Sequence, residues 1–170
     1  MPRPPSVTEI IAKQTTRPDQ IRIMAEGMLR YINSPTAFVR DLFKADPDPW
    51  QEKALEALPF QKKVSIPSGH GVGKTTWLSW AIWWFLFTRP NARIPCTAPT
   101  RQQLFDVLWP ELAKWQEKSP VLKSSFEWQK TRIIQVKHPE RWFATAKTSN
   151  KPENLAGFHE DHLLFVVDEE

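Results

Sequence analysis

The stretch SGHGVGKTT, from Ser68 to Thr76, decides the fold of this chain. It matches the pattern G-x-x-x-x-G-K-[ST] of phosphate-binding loops, except that Ser68 stands at the first glycine position. Glycines at this spacing allow positive φ angles and let a polyphosphate approach the backbone, whose N–H groups then form an anion-binding nest. The sequence predicts that the whole loop binds a nucleotide, through Ser68, Gly69, His70, Gly71, Val72, Gly73, Lys74, Thr75 and Thr76.

Two side chains of this loop have separate chemical roles in the prediction. Lys74 would reach the β- and γ-phosphates, and the hydroxyl of Thr75 would hold Mg²⁺. A phosphate-binding loop joins a strand to a helix, and both flanks fit. Residues 62–67 predict a short strand, and 76–87 predict a helix that is apolar almost all round and therefore buried. The alternative, a glycine-rich turn without a ligand, does not account for the complete Gly-Lys-Thr-Thr end.

The last residues, Leu163 to Glu170, form a second motif, in which five apolar residues are followed by acids. The pattern is typical of a fully buried parallel strand that ends at a polar site, a Walker B strand. Asp168 is predicted to hold Mg²⁺, directly or through water, and Glu169 to orient and deprotonate the attacking water. Glu170 is the alternative base. An ordinary strand that runs into an acidic tail is the structural alternative.

The stretch from Asp48 to Gln51 predicts the start of a helix that ends near Leu58. Asp48 is a good N-cap, Pro49 a good first residue, and Gln51 completes a capping box. An aromatic residue followed by Gln, shortly before a phosphate-binding loop, also resembles the adenine-reading Q motif of helicases and related motors. A Gln amide offers one donor and one acceptor to the adenine edge. We favour nucleotide contact for Gln51, with capping alone as the alternative.

A strand is predicted at 93–98, and the helix after it begins with Thr100 as N-cap and Gln103 closing the capping box. The sequence of this segment, TAPTRQQ, resembles motif Ia of helicases. Ligands bind beyond the carboxyl ends of strands in open α/β sheets. Arg101 is therefore a candidate contact for DNA or nucleotide phosphate, with a solvated first-turn arginine as the alternative. The predicted core face of the helix is Leu104, Leu108, Leu112 and Trp115.

Two further regions have readable patterns. Asp19 to Asn33 predicts an amphipathic helix, and Ser34 with Pro35 predicts the start of a short helix that reaches Lys44. Residues 130–137 and 141–146 predict two strands with a tight turn between them. The loop that follows contains His159 and His162 beside two acids, but a plain surface loop is favoured over a metal site because no further ligand cluster is present.

Composition limits the class of protein. The net charge is +4, and it is uneven, because residues 151–170 carry −5 while residues 1–150 carry +9. A basic body suits a polyanion such as nucleic acid, although a solvated basic surface is the alternative. The single cysteine, Cys96, cannot form an internal disulfide and indicates a reducing compartment. No signal-peptide pattern is visible, so a cytoplasmic location is expected. The nine Trp residues are interpreted as core.

Taken together, DPWQ, SGHGVGKT, TAPTRQQ and NLAGFH ahead of LLFVVDEE resemble the ATPase domain of a tailed-phage terminase large subunit, from about Trp50 onward. The resemblance implies a P-loop NTPase fold of the ASCE, RecA-like type, with three layers around a mainly parallel central sheet. It implies an N-terminal helical segment at 1–45 and an ATPase domain at 46–170. ATP and Mg²⁺ are the implied cofactors. The implied partners are double-stranded DNA, a portal protein, a terminase small subunit and further copies in a ring.

The chain departs from this family in ways that matter for function. His70 stands where many terminases carry an arginine proposed to stabilise the γ-phosphate, and histidine is a weaker, pH-dependent cation. The sequence ends directly after the Walker B acids. We therefore expect a domain truncated after that motif, without the coupling motif or the RNase H-like nuclease domain, and a chain that does not cut DNA by itself.

Two other interpretations stay open at this point. A superfamily 2 helicase core explains the Q motif and motif Ia equally well, but it fits Glu-Glu after the Walker B aspartate less well. A non-catalytic module that binds nucleotide or a partner without turnover is the hypothesis from another class.

Overall fold

The computed structural model describes residues 26–67, 71, 73–147 and 161–168. Six α-helices lie in these ranges: α1 (26–33), α2 (Pro35–Phe43), α3 (Pro49–Ala57), α4 (Lys74–Thr88), α5 (Trp109–Glu117) and α6 (Pro120–Ser125). The strands are β1 (Arg93–Thr97), β2 (Phe126–Trp128), β3 (Arg132–Gln135), β4 (Phe143–Ala146) and β5 (Val166–Val167). A π-helical segment, Gln103–Leu108, leads directly into α5.

The strands form one mixed sheet in the order β2-β3-β4-β1-β5. β1 lies parallel to both β4 and β5, with Cys96 opposite Ala146 on one side and opposite Val166 on the other. β2, β3 and β4 are successively antiparallel and add a meander to the parallel part. The described strands thus form a mixed α/β fold whose parallel part is β4-β1-β5, with β5 at one edge.

Helix α4 is the centre of the core. Its buried positions are distributed around the whole helix, as the sequence predicts: Trp77, Ser79, Trp80, Ala81, Ile82, Trp83, Trp84, Leu86 and Thr88. Two of its tryptophans donate their indole N–H groups to the backbone of other elements, from Trp83 to Leu112 O at 3.0 Å and from Trp84 to Tyr31 O at 2.6 Å. The interpretation of these tryptophans as core is confirmed for α4.

The predicted helix starts at Ser34, Asp48 and Thr100 are confirmed. Ala37 N–H donates to Ser34 Oγ at 3.2 Å, and Pro35 is the first residue of α2. Asp48 and Gln51 form the capping box of α3. Gln103 N–H donates to Thr100 Oγ1 at 3.1 Å, while Thr100 N–H donates to Gln103 Oε1 at 3.2 Å. Local sequence chemistry is sufficient at these positions because each cap is completed within a few residues.

The N-terminal helices share the core of the sheet domain. Phe38 on α2 packs on Phe87 with ring centroids 5.6 Å apart, and Phe43 packs on Trp115 at 5.3 Å. The hydroxyl of Ser34 also donates to Glu56 Oε1 on α3 at 2.8 Å. The described part of the predicted 1–45 segment is therefore packed on the same hydrophobic core as the rest of the molecule.

A π-helical segment interrupts the helix predicted after Thr100. Trp109 N–H donates to the carbonyl of Leu104, five residues earlier instead of four. Pro110 explains the widening, because it has no N–H and its ring would clash with the carbonyl of Asp106 in a regular α-helix. The predicted core face of this helix is confirmed, since all four of its residues are buried: Leu104, Leu108, Leu112 and Trp115.

One prediction about strands is wrong, and another is confirmed only in part, because β5 is parallel to β1 but is short and not fully buried. Residues 62–67 are not a strand, and most of them are exposed. The segment at 163–167 is not fully buried: β5 is only Val166–Val167, and Phe165 and Val167 are 45% and 49% exposed. β5 is the edge of the described sheet, and residues 62–67 do not pair with it as a further strand. Val64 and Ile66 still pack against the core.

The antiparallel pair predicted at 130–137 and 141–146 is confirmed as β3 and β4. β2 and α6, which are three and six residues long, were not predicted. Elements this short have too few residues for a periodic pattern to be recognised.

Among the described residues, none of the helices is both long and apolar enough to cross a membrane.

Candidate functional site

The start of α4 has the backbone geometry of an anion site. Gly71 and Gly73 have φ angles of 76° and 85°, a region that glycine enters without strain. Gly73 is the N-cap of α4, and no side chain caps the helix through a hydrogen bond. A glycine N-cap has no side chain that could cap the helix, and the positive end of the helix dipole lies at this terminus. Lys74 and Thr75 begin the helix at this end.

Gln51 joins α3 to this loop. Its Oε1 accepts the Asp48 N–H at 2.9 Å, and its Nε2 donates to the carbonyl of Gly73 at 3.2 Å. The indole N–H of Trp77 donates to the backbone carbonyl of Gln51 at 3.2 Å. Gln51 is 5% exposed, so these bonds form in a nearly dry environment. The capping box of α3 thus holds the last glycine of the loop.

These contacts leave part of the Gln51 amide available. A glutamine side chain has two N–H donors and two acceptor lone pairs, and one of each is used here. Contact with an adenine edge therefore stays a prediction. The capping role is observed, with an added tertiary bond to Gly73.

A second link reaches the loop from the other side. Thr76 Oγ1 donates to Glu111 Oε1 at 2.7 Å, and the same oxygen accepts the indole N–H of Trp115 at 2.7 Å. Lys114 Nζ also lies 3.1 Å from this carboxylate. Because its hydroxyl hydrogen is directed to Glu111, Thr76 can meet a phosphate only through other atoms while this bond is intact.

The carboxylate of Glu111 is held in its charged form. Burial alone raises its pKa, but hydrogen bonds from Thr76, Trp115 and Lys114, together with the charge of Lys114, outweigh burial and lower the pKa. The side chain is 17% exposed, so solvent screens these contacts only in part. Glu111 therefore contributes to stability through its ionised state.

Asp168 lies at the carboxyl end of β5, beside the end of β1. Its N–H donates to the carbonyl of Thr97 at 2.9 Å, and the residue is 7% exposed. The segment with Thr100 and Arg101 follows β1 from this same edge. The fold thus brings Asp168 and the Thr100–Arg101 turn to the sheet edge where α/β proteins bind ligands. Arg101 is exposed, with its guanidinium 4.9 Å from the Phe105 ring centroid.

Several predicted residues lie outside the described ranges. They are Ser68, Gly69, His70 and Val72 of the loop, Glu169 and Glu170 of the Walker B motif, and His159. His162 is described, and its Nδ1 lies 2.8 Å from the carbonyl of Pro90. Within the described part of the chain, His, Cys, Asp and Glu side chains do not gather in groups of three or more that could hold a metal.

Glu111 and Trp77 were missed by the sequence analysis. Glu111 follows Pro110 on a helix whose acidic residues look like ordinary surface positions, and Thr76 is 35 residues away. No local pattern could have paired them. Trp77 was assigned to the core, and only its contact with Gln51 was not foreseen.

Comparisons with known proteins agree with this fold. No protein-family profile matches the chain. The chain is 30% identical over 135 residues to the "Probable terminase, large subunit" of Enterobacteria phage P7, covering 75% of this chain and 27% of that protein. Its structure superposes on the crystal structure of the HK97 bacteriophage large terminase with a TM-score of 0.61 and 16% identity, over 80% of this chain and 37% of the other. The resemblance to a terminase large subunit is confirmed, and the chain spans about a quarter of the relative's length.

Substituting Gly73 tests the contact between α3 and the loop. A Cβ at Gly73 would lie 2.8 Å from Gln51 Nε2, whereas a Cβ at Gly71 would have open space. Both positions have positive φ, which costs an L-residue about 1–2 kcal/mol. We expect Gly73→Ala to lower the free energy of unfolding more than Gly71→Ala, as measured by urea denaturation. When Gln51 is already alanine, Gly73→Ala should lower the free energy of unfolding by a smaller amount, because the contact with Gln51 Nε2 is absent. Equal losses in both single variants would contradict the contact.

Substituting Glu111 tests the second link. Glu111→Gln should lower the free energy of unfolding by about 1–3 kcal/mol at neutral pH, because hydrogen bonds to a charged acceptor weaken. The lowered pKa of Glu111 means that its stabilisation is complete above the pKa of an unfolded glutamate and is lost as the pH falls through the lower folded value. The wild-type protein should therefore lose stability in acid more steeply than the variant. Glu117→Gln, at an exposed carboxylate on the same helix, is the control.

Proposed function

Since the chain is related to the terminase large subunits of phages, we propose that it is the ATPase part of a DNA-packaging motor. In this proposal it hydrolyses ATP and so drives double-stranded DNA into a procapsid. The observation that carries the proposal is the start of α4, where two positive-φ glycines precede Lys74 and Gly73 is the N-cap. Positive-φ glycines followed by a helix N-terminus are typical of sites that bind phosphate.

The proposed roles follow the chemistry of the side chains. Lys74 contacts the β- and γ-phosphates, while the hydroxyl of Thr75 and the carboxylate of Asp168 hold Mg²⁺. When bound, Mg²⁺ neutralises charge on the phosphates. Glu169 orients the attacking water and accepts its proton. Asp168, at the carboxyl end of β5, fits this assignment because its backbone is tied to Thr97 and its side chain is nearly buried.

The proposed fold is that of an ASCE P-loop NTPase. The mixed sheet, the parallel β4-β1-β5 part and the buried helix that begins at the loop support it. β5 pairs with β1 on one side and is the edge strand of the described sheet. Residues 62–67, which precede the loop, lie alongside the core without joining the sheet.

The proposed partners belong to the packaging machinery. They are double-stranded DNA, a portal protein, a terminase small subunit and further copies of the chain in a ring within the host cytoplasm. The relation to terminases supports this set. Many terminases have an arginine at the position of His70. In this chain a neighbouring copy or Arg101 would supply that positive charge.

A superfamily 2 helicase core remains the alternative enzyme. The capping box at Thr100 and the buried Gln51 suit either class. The comparison with the phage P7 protein favours the terminase. Translocation on duplex DNA without strand separation would distinguish a terminase motor from a helicase.

Lys74→Ala tests the phosphate site. Loss of a charged partner for the β- and γ-phosphates should weaken Mg-ATP binding by about tenfold to a hundredfold, as measured by isothermal titration. Lys53→Ala removes an exposed lysine from α3 and is the matched control. Equal ATP affinity in Lys74→Ala and the control would refute the phosphate-binding role of the loop.

Glu169→Gln tests the catalytic base. The variant should bind Mg-ATP like the wild type and hydrolyse it about 10²–10⁴-fold more slowly, because the amide cannot accept the proton. Phosphate release and ATP titration on the same sample give the two readouts. If Glu170→Gln shows this behaviour instead, Glu170 is the base. Wild-type binding without turnover would support the non-catalytic module.

A further inference from the structure

A groove of about 600 Å³ lies between the π-helical segment and the β2–β3 turn, beside the proposed phosphate contact Arg101. Its walls combine aromatic rings with two cations and one acid. The lining residues are Arg101, Gln102, Phe105, Asp106, Trp109, Pro110, Trp128 and Lys130. The proposed ATPase chemistry uses only Arg101 of this set.

The aromatic side chains form a continuous series along the groove. Phe105 and Trp109 meet edge to face with ring centroids 6.1 Å apart, and Trp109 and Trp128 follow with centroids 6.0 Å apart. Trp128 is 37% exposed, so a broad ring is available to a ligand. Trp109 is buried, which fixes the series on the hydrophobic core. We call these three rings the aromatic platform.

The polar groups around the aromatic platform suit an anion. The guanidinium of Arg101 lies over Phe105 at 4.9 Å, and stacking of this kind leaves its N–H edges free to meet a phosphate. Lys130 is exposed on the tight turn closed by Gln129 N–H to Arg132 O at 2.7 Å. Asp106 adds one negative charge to the lining, which keeps a net positive charge because Arg101 and Lys130 are both cations.

Trp109 forms part of the groove wall. The residue is 2% exposed, and its Nε1 has no hydrogen-bond partner within the described part of the chain. A buried donor without an acceptor costs free energy. Trp83 and Trp84 donate to backbone carbonyls, but the buried Trp80 Nε1 also has no partner among the described residues, so the unpaired N–H of Trp109 does not by itself distinguish the groove.

The π-helical segment places these groups together. Pro110 forces the wider turn, and the segment carries Phe105 and Asp106 on the groove side. Single π-helical turns within α-helices occur frequently at functional sites, because the widened turn moves side chains out of α-helical register.

We propose that this groove binds an unpaired nucleotide of a DNA strand, with the base stacked on the aromatic platform at Trp128 and the phosphates held by Arg101 and Lys130. Aromatic rings interleaved with cations are the usual means of binding single strands. Duplex DNA presents phosphates but keeps its bases stacked on one another, so it would leave Trp128 unused. An acidic peptide would meet the cations, but it has no planar group that requires an aromatic series.

The proposal deepens the DNA contact of the proposed function and rests on it only for the expectation that the chain meets DNA. It does not involve the nucleotide loop. A test without ATP therefore fails or succeeds independently of the Lys74 and Glu169 variants.

The test is anisotropy of a short fluorescein-labelled oligothymidylate, compared with a duplex of equal length, on the full chain at fixed salt. Trp128→Ala should weaken binding of the single strand about five- to a hundredfold, the range measured for loss of one stacked base. Trp128→Tyr should retain binding. Phe60→Ala, which removes a 71% exposed ring outside the groove, is the control. Lys130→Ala should reduce the salt slope by about 0.7, whereas the control Lys118→Ala should not.

Three results would overturn the proposal. One is an affinity of Trp128→Ala for the single strand equal to that of Phe60→Ala. Another is an equal loss of duplex and single-strand binding in Trp128→Ala. The third is polyglutamate binding with the same dependence on Trp128, which would assign the groove to an acidic protein. If Trp128→Ala fails to fold, Trp128→Leu against Trp128→Tyr gives the same comparison.

Discussion

The burial of α4 is the constraint on which the rest of the structure depends. This helix is apolar on every side, so one covering layer cannot remove it from water, and the fold surrounds it with β1, β4, α2, α3 and the helix that follows β1. A buried indole N–H is stabilised by an acceptor. Trp83 and Trp84 donate to the backbone carbonyls of Leu112 and Tyr31, which ties α4 to elements distant in sequence.

The same packing positions the first residues of α4. Because α4 is fixed in the core, its first residues are fixed too, and two side chains from other helices bond to them. Gln51 bonds the carbonyl of Gly73, and Glu111 accepts the hydroxyl of Thr76. The Glu111 contact also connects the loop to the segment that carries Arg101 and the aromatic platform, since α5 continues from that segment. The start of α4 and the groove are therefore connected through one continuous helical stretch.

Sequence reasoning worked best where the chemistry is local. The caps at Ser34, Asp48 and Thr100 each depend on residues within three positions, and all three were predicted. The apolar helix and the β3–β4 pair were predicted as well, because their patterns are continuous. Residues 163–167 were predicted less well, since a run of apolar residues does not reveal whether a strand pairs on one side or on both. Residues 62–67 have only two apolar side chains, Val64 and Ile66, which pack against the core without a strand partner.

The sequence by itself determined the glycine turn at the start of α4, because glycine spacing is a local property and a glycine N-cap has no capping side chain. It also determined that α4 must be buried and that Asp168 follows an apolar strand. Only the tertiary structure decided which partners hold the site. These contacts join residues far apart in the sequence, and no periodic pattern encodes them because they form only when the elements pack around one core. The pairs are Gln51 with Gly73, Thr76 with Glu111, and Trp109 with Trp128.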